Sequence, residues 1–160
     1  MTRDPDSISR DESTKLRLSR FSHFVDQHYR HFLAKKLPEL GLGLSDYAHL
    51  LFLYHQRDEL PQGASQTRLA NEQLNDKAAV TRSVRKLENL GYVTVKPDKA
   101  NSSRNLVSLT HAGARAAARI DEWVYEWEES ALASLDGKER ERFLKTFRAV
   151  FADIRNRAAD

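Results

Sequence analysis

The chain has 160 residues with 26 Lys and Arg against 23 Asp and Glu, and no cysteine. That length fits one domain, or one domain plus an oligomerisation element. The missing thiols exclude a disulfide scaffold, a cysteine-ligated zinc site and a thiol redox sensor. No apolar run is long enough to span a membrane, and the polar start MTRDPDSISRDEST does not read as a signal peptide, so a cytoplasmic context is expected.

Residues 1–13 are expected to form a flexible tail. The spacing predicts a first helix over 14–37, ending before Pro38, with Leu16, Phe21, Phe24, Val25, His28 and Phe32 on its apolar side. A second helix is expected over 45–56, N-capped by Ser45 and apolar almost all round, hence central. Next comes SQTRLANEQLNDKAAVTRSVRKLENLGYVTV, residues 65–95. It reads as a short helix packing through Leu69, Ala70 and Leu74, a tight turn, a longer basic helix and a strand. Asp76 is placed to cap the longer helix, and Gly91 to end it in a left-handed conformation. Val80, Val84, Leu87 and Leu90 share one face of that helix, while Thr81, Arg82, Arg85 and Lys86 point elsewhere.

Val93 and Val95 alternate with Thr94 and Lys96, and 106–109 forms a second strand candidate. Between them PDKANSSRN is rich in turn formers, so a hairpin is expected, with Lys99 and Arg104 at its tip. Such a hairpin directly after a basic helix is a wing. A helix pair that buries one face and offers a cationic second helix suits a DNA major groove. On charge alone a solvated basic face is the better reading, since such faces are common. Residues 65–104 hold eight Lys and Arg against four Asp and Glu, so the remainder of this +3 chain is slightly acidic. A local positive field on a nearly neutral body suits a polyanion bound at one place.

A helix over 110–134 is capped by Thr110 and carries Ile120, Val124, Trp127 and Ala131 at helical spacing. The last, over 136–157, opens on Asp136 and Glu139 at capping-box spacing and lines up Phe143, Leu144, Phe147, Val150, Phe151 and Ile154. A winged segment over 38–109 could not cover the apolar faces of three long terminal helices. A homodimer built from 14–37 and 110–157 is therefore expected, with Phe21, Trp127, Phe147 and Phe151 at its interface.

Three phrases, TRLANEQL, AAVTRSVRKLENLGYV and LVSLTHAG, resemble the MarR family of winged helix-turn-helix transcriptional regulators. The resemblance covers about residues 14–157. The last phrase matches the family's hydrophobic-x-Leu-Thr-x-x-Gly close of the wing, here Leu109, Thr110 and Gly113. It implies a mainly α fold with a small β-wing, flanked by N- and C-terminal dimerisation helices. It also implies a homodimeric regulator, a repressor, of palindromic double-stranded DNA. The expected DNA-binding residues are Lys77, Ala78, Thr81, Arg82, Arg85 and Lys86 on the recognition helix and Lys96, Lys99, Ser103 and Arg104 on the wing. Family wings carry Asp-x-Arg at the tip. Counting back without a gap puts Asn101 and Ser103 there, and a one-residue deletion would put Arg104 in the arginine's place.

Proteins of this kind often bind small aromatic acids or phenolics, and Phe32, Tyr47, Phe52, Tyr54, Trp123 and Trp127 could line a cleft. Phe32, Phe52 and Trp123 are the residues expected at such an effector pocket. His23, His28 and His31 crowd one helix, and a metal-responsive regulator of the same fold is one alternative. With no HxxxH pair and no cysteine, neither a metal nor a cofactor is expected. A winged-helix module used only for protein contacts is the other alternative. No Gly-rich phosphate loop or nucleophile motif is present, and Glu128 and Glu129 diverge on a helix, so an enzyme is not expected.

Overall fold

The computed structural model describes residues 18–73, 76–101 and 103–157. Leu16, Leu74 and the tail expected over 1–13 lie outside them. The elements run α1 (Leu18–Lys36), a 3-10 turn (Leu37–Leu40), α2 (Tyr47–His55), β1 (Ala64–Ser65), α3 (Gln66–Gln73), α4 (Lys77–Asn89), β2 (Val93–Pro97), β3 (Asn105–Leu109), α5 (His111–Ala131) and α6 (Gly137–Arg157). The fold is mainly helical with one small antiparallel sheet. It divides into two compact units, one reaching to Trp123 and one starting at Val124.

The core belongs to the first unit. Leu33, Leu37, Leu50, Leu69, Val80, Leu87, Val107, Ala117 and Ile120 have no exposed surface, and Trp123 almost none. Every helix and strand of this unit sends at least one side chain inward. Burial of this apolar surface is the main drive to fold. Helix α4 does so at Val80, Val84 and Leu87, as its periodicity predicts. Leu90, expected on the same face, is 39% exposed and lies over Gly41 instead. It falls at the C-cap, where the helix is already ending.

Several boundaries differ from the sequence reading; α5, expected to reach 134, ends at Ala131. Helix α1 gives way at Leu37 to a 3-10 turn with Pro38 near its start, where a missing N–H costs nothing. Its buried residue is Leu33, while Phe21 and Phe24 are exposed. Ser45 does not cap α2, whose cap position is Asp46. Helix α3 is preceded by a two-residue strand that the sequence reading lacked, and Ser65 accepts a hydrogen bond from the Arg68 N–H at 3.2 Å. Two residues are too few to show a period.

The strand order is β1-β3-β2. Val93 pairs with Leu109 and Pro97 with Asn105, while Ala64 pairs with Val107 on the other side. Pro97 closes an edge strand, where proline is tolerated. The stem meets α5 through Thr110. Its hydroxyl accepts from the Gly113 N–H at 2.9 Å and faces the Gly91 carbonyl at 2.7 Å, and its own N–H donates to the Tyr92 carbonyl at 3.0 Å. Gly113 is needed because a Cβ there would sit 1.9 Å from that same Tyr92 oxygen. The Leu-Thr-x-x-Gly phrase is thus a cap and a close backbone approach.

The second unit contains the end of α5 and all of α6. Asp136 and Glu139 form the expected capping box: Glu139 N–H to Asp136 Oδ1 and Asp136 N–H to Glu139 Oε2, both 2.9 Å. Arg140 pairs with Glu129. No described residue beyond Trp123 is buried. Phe147, Phe151 and Ile154 are each more than half exposed.

Gly113→Ala should lower stability by about 1–3 kcal/mol, since the backbone must move to admit the methyl group. Gly137→Ala, with nothing within 4 Å of the added carbon, should be neutral or slightly stabilising. Urea unfolding of both variants is the measurement, and equal midpoints would refute the close-approach argument.

Candidate nucleic-acid interface

Helix α4 starts cleanly. Asp76 is extended (φ −72, ψ 153) and its Oδ1 accepts the Ala79 N–H at 2.8 Å. The carboxylate also suits the positive end of the helix dipole. Gly91 ends the segment at φ 74, as expected.

With Val80, Ser83, Val84 and Leu87 buried, the opposite side of α4 carries Ala78, Arg82 and Arg85, at i, i+4 and i+7. All three are exposed, as is Lys77 at the first turn. Lys77, Arg82 and Arg85 make no ion pair among the described residues. The flanks of this stripe are committed elsewhere. Thr81 is half-buried, its hydroxyl within 3.0 Å of Gln66 Oε1 on α3 and 2.8 Å of the Lys77 carbonyl. Lys86 turns the other way, its Nζ 2.7 Å from Asp46 Oδ2. Of the six helix residues expected from the sequence, three form the outward stripe, Lys77 is exposed at the first turn, and two lean against neighbouring elements.

Asp46 is the residue the sequence reading missed. It is 3% exposed and stands just before α2. Its oxygens accept from Lys86, from the Ser83 hydroxyl at 2.8 Å and from the Gly43 N–H at 2.9 Å. Burial alone would raise its pKa. Lys86, Gly43 and Ser83 together outweigh that and hold it below the ordinary value. A sequence signal did exist. Ser83 interrupts the apolar face of α4, and a buried hydroxyl there needs a partner.

The wing shapes itself. Between Pro97 and Asn105 the chain makes two turns, Asn101 N–H to the Asp98 carbonyl at 3.2 Å and Arg104 N–H to the Asn101 carbonyl at 3.1 Å. Asp98 Oδ1 accepts the Ala100 N–H at 2.8 Å, and Asn101 Oδ1 accepts the Ser103 hydroxyl at 2.6 Å. Arg104 is not at the tip. It stands at the base, directly before β3, and its guanidinium pairs with Asp98 Oδ2. Asp98 supplies the local carboxylate and needs no Asp-x-Arg spacing. Lys96 lies on the stem and Lys99 and Ser103 in the loop, all exposed. Ser102 lies outside the described residues.

The aromatic set is scattered in environment. Trp123 is 1% exposed, with the Arg119 guanidinium 5.2 Å from its ring centre. Phe32 and Phe52 are half-buried, and Lys36 lies 5.4 Å from the Phe32 ring. A cavity of about 110 Å³ lies elsewhere, lined by Leu53, Arg57, Leu60, Pro61, Gly63, Ser108 and Leu109. The histidines go separate ways. His28 packs on Phe24 with ring centres 4.2 Å apart, His49 is buried, and His55 Nε2 lies 3.0 Å from Asp121 Oδ1. Among the described residues no group of three His, Cys, Asp or Glu side chains is arranged to hold a metal ion. None of the described helices is long and apolar enough to cross a membrane.

No protein-family model matches the chain, and no curated protein matches it in sequence. Its structure is similar to solved winged-helix regulators. A MarR crystal structure superposes with TM-score 0.80 at 24% identity, covering 95% of this chain and 98% of that one. A MarR transcriptional regulator from Methanosarcina mazei Go1 gives 0.77 at 22% identity, covering 85% and 94%. The S. aureus MepR–DNA complex gives 0.71 at 16%, covering 87% and 99%. The chain therefore has the MarR winged-helix fold, as the resemblance implied.

The Ala100 N–H, and then Arg104, hold the Asp98 carboxyl below its ordinary value of 3.8. A depressed folded pKa gives stability that is complete above the ordinary value and drains away as pH falls through the lower folded one. Asp98→Asn should therefore speed amide exchange in β2 and β3 at neutral pH, with the gap to the parent closing in acid. Equal neutral-pH protection would show that the pair does not hold the wing.

Proposed function

We propose that this chain is a MarR-type transcriptional regulator that binds double-stranded DNA as a homodimer on a palindromic operator and acts as a repressor. The observation that carries the reading is the outward stripe of Ala78, Arg82 and Arg85 opposite the buried Val80, Val84 and Leu87, on the second helix of a pair that leads straight into a basic hairpin. In this reading α4 enters the major groove, Arg82 and Arg85 reach base edges or adjacent phosphates, and Lys77, Lys96 and Lys99 serve phosphates. The structural likeness to a regulator solved as a DNA complex supports the same reading.

Dimerisation is supported by apolar surface left without cover. Phe147 and Phe151 on α6 are 54% and 57% exposed, and Phe21 on α1 is 45% exposed. A monomer rarely keeps such rows of large side chains in water. Two-fold symmetry would set two copies of α4 about 34–36 Å apart, or a multiple, along a duplex. An aromatic or phenolic effector that releases DNA completes the proposal, with Phe32 and Phe52 offering ring surface. By linkage, its affinity must fall when DNA is bound.

Replacing Arg82 or Arg85 by Ala should cost about 1–3 kcal/mol against a selected duplex and relax preference at one position in each half-site. Gel shifts with single-position duplex variants are the check, and unchanged affinity and preference in both would sink the assignment. Sedimentation of a Phe147→Glu, Phe151→Glu double variant should show a monomer where the parent is a dimer. A dimer in both would remove α6 from the interface.

A further inference from the structure

Four cationic side chains project from α4, yet they do not stand in the same situation. Lys77, Arg82 and Arg85 are exposed and free of ion pairs among the described residues. Lys86 is bound through a 2.7 Å contact to a carboxylate whose side chain is 4% exposed. Detaching that ammonium would leave the Asp46 charge buried with only two hydroxyls and one N–H to serve it, a costly state. A backbone phosphate offers Lys86 no such penalty to relieve, and Arg82 and Arg85 can meet it without breaking anything. Physical economy therefore keeps Lys86 on Asp46 when DNA is present.

The same carboxylate also grips α4 one turn earlier. Ser83 and Lys86 are three residues apart, so both lie on the flank of the helix that faces the start of α2. Ser83 donates to Asp46 Oδ1 and also lies 2.9 Å from the Ser45 carbonyl, and Lys86 takes Oδ2. Gly43 holds the carboxylate from its own side at 2.9 Å. Apolar packing by Val80, Val84 and Leu87 decides which side of α4 faces inward, but being non-directional it leaves small rotations about the axis open. Two hydrogen bonds to one fixed carboxylate, spaced a turn apart, do not.

We propose that Asp46 is a positioning residue for the recognition helix, setting the rotation of α4 through Ser83 and Lys86, and that Lys86 belongs to this tie and makes no phosphate contact. The inference rests on the DNA-binding reading above and deepens it. The charge that α4 brings to DNA is then three cations, and the outward aim of Arg82 and Arg85 depends on a residue outside the helix pair.

The test uses the whole 160-residue chain and a duplex recovered by selection from a randomised pool. Binding is followed by fluorescence anisotropy between about 50 and 200 mM salt, against the recovered and a randomised duplex. Lys86→Met should weaken the recovered duplex more than the randomised one, with the slope of log K against log salt unchanged. Lys77→Met, the positive control, should flatten that slope by about 1.8, the value of two lost phosphate contacts, one from each protomer. Asp46→Asn should reduce the same preference, and the Asp46→Asn, Lys86→Met double variant should be no worse than either single, since both break one tie. Circular dichroism establishes that each variant is folded at the binding temperature. If Asp46→Asn is not, Ser83→Ala removes one bridge while leaving the charges, and must lower the preference alone. A slope flattened by about 1.8 in Lys86→Met, or losses that multiply in the double variant, would overturn the inference while leaving DNA binding intact. Failure of the unaltered protein to enrich any duplex would overturn the functional reading and this one with it.

Discussion

Helix α4 has one circumference and two obligations. Val80, Val84 and Leu87 must stay in the core of the first unit, because nothing else fills the space they occupy at 0–2% exposure. Whatever the helix offers to a partner must fit on the remaining arc. That constraint orders much of the first unit. It puts Arg82 and Arg85 outward together, leaves Thr81 and Lys86 on the borders where neighbouring elements claim them, and makes Ser83 the lone polar side chain turned inward. The short connections on either side, capped by Asp76 and turned at Gly91, keep the arc in register with α3 and with the stem of the wing.

Much of this is legible in the sequence. The period of α4, its two caps, the hairpin, the Thr110 start of α5 and the capping box of α6 all rest on local chemistry, so neighbouring residues suffice to reveal them. The mismatches are non-local. Ser45 looked like the cap of α2 because serine is a good cap, yet Asp46 and Gly43 meet around a carboxylate whose other partners lie 37 and 40 positions further on. Strand β1 exists only because β3 is there to pair with it. Arg104 falls in the turn-forming stretch PDKANSSRN, where nothing local separates tip from base. Its place at the base follows from a pairing with Asp98 that no spacing rule encodes.

The terminal helices show the opposite imbalance. Their amphipathic pattern was plain in the sequence, but burial was not. Helix α1 buries Leu33 and leaves Phe21 and Phe24 in water, and α6 buries nothing. A periodic apolar stripe says that a face wants cover, without saying which molecule supplies it.

The Thr110 junction has a mechanical side. One hydroxyl touches the backbone that ends α4 and caps the first turn of α5, and the Gly113 backbone rests against the Tyr92 carbonyl with no room for a methyl group between them. Two helix ends and the root of β2 are thus welded into a single joint without slack. A joint of that kind transmits torque: turning the first turn of α5 turns the root of the wing and the tail of α4 with it, as one bracket.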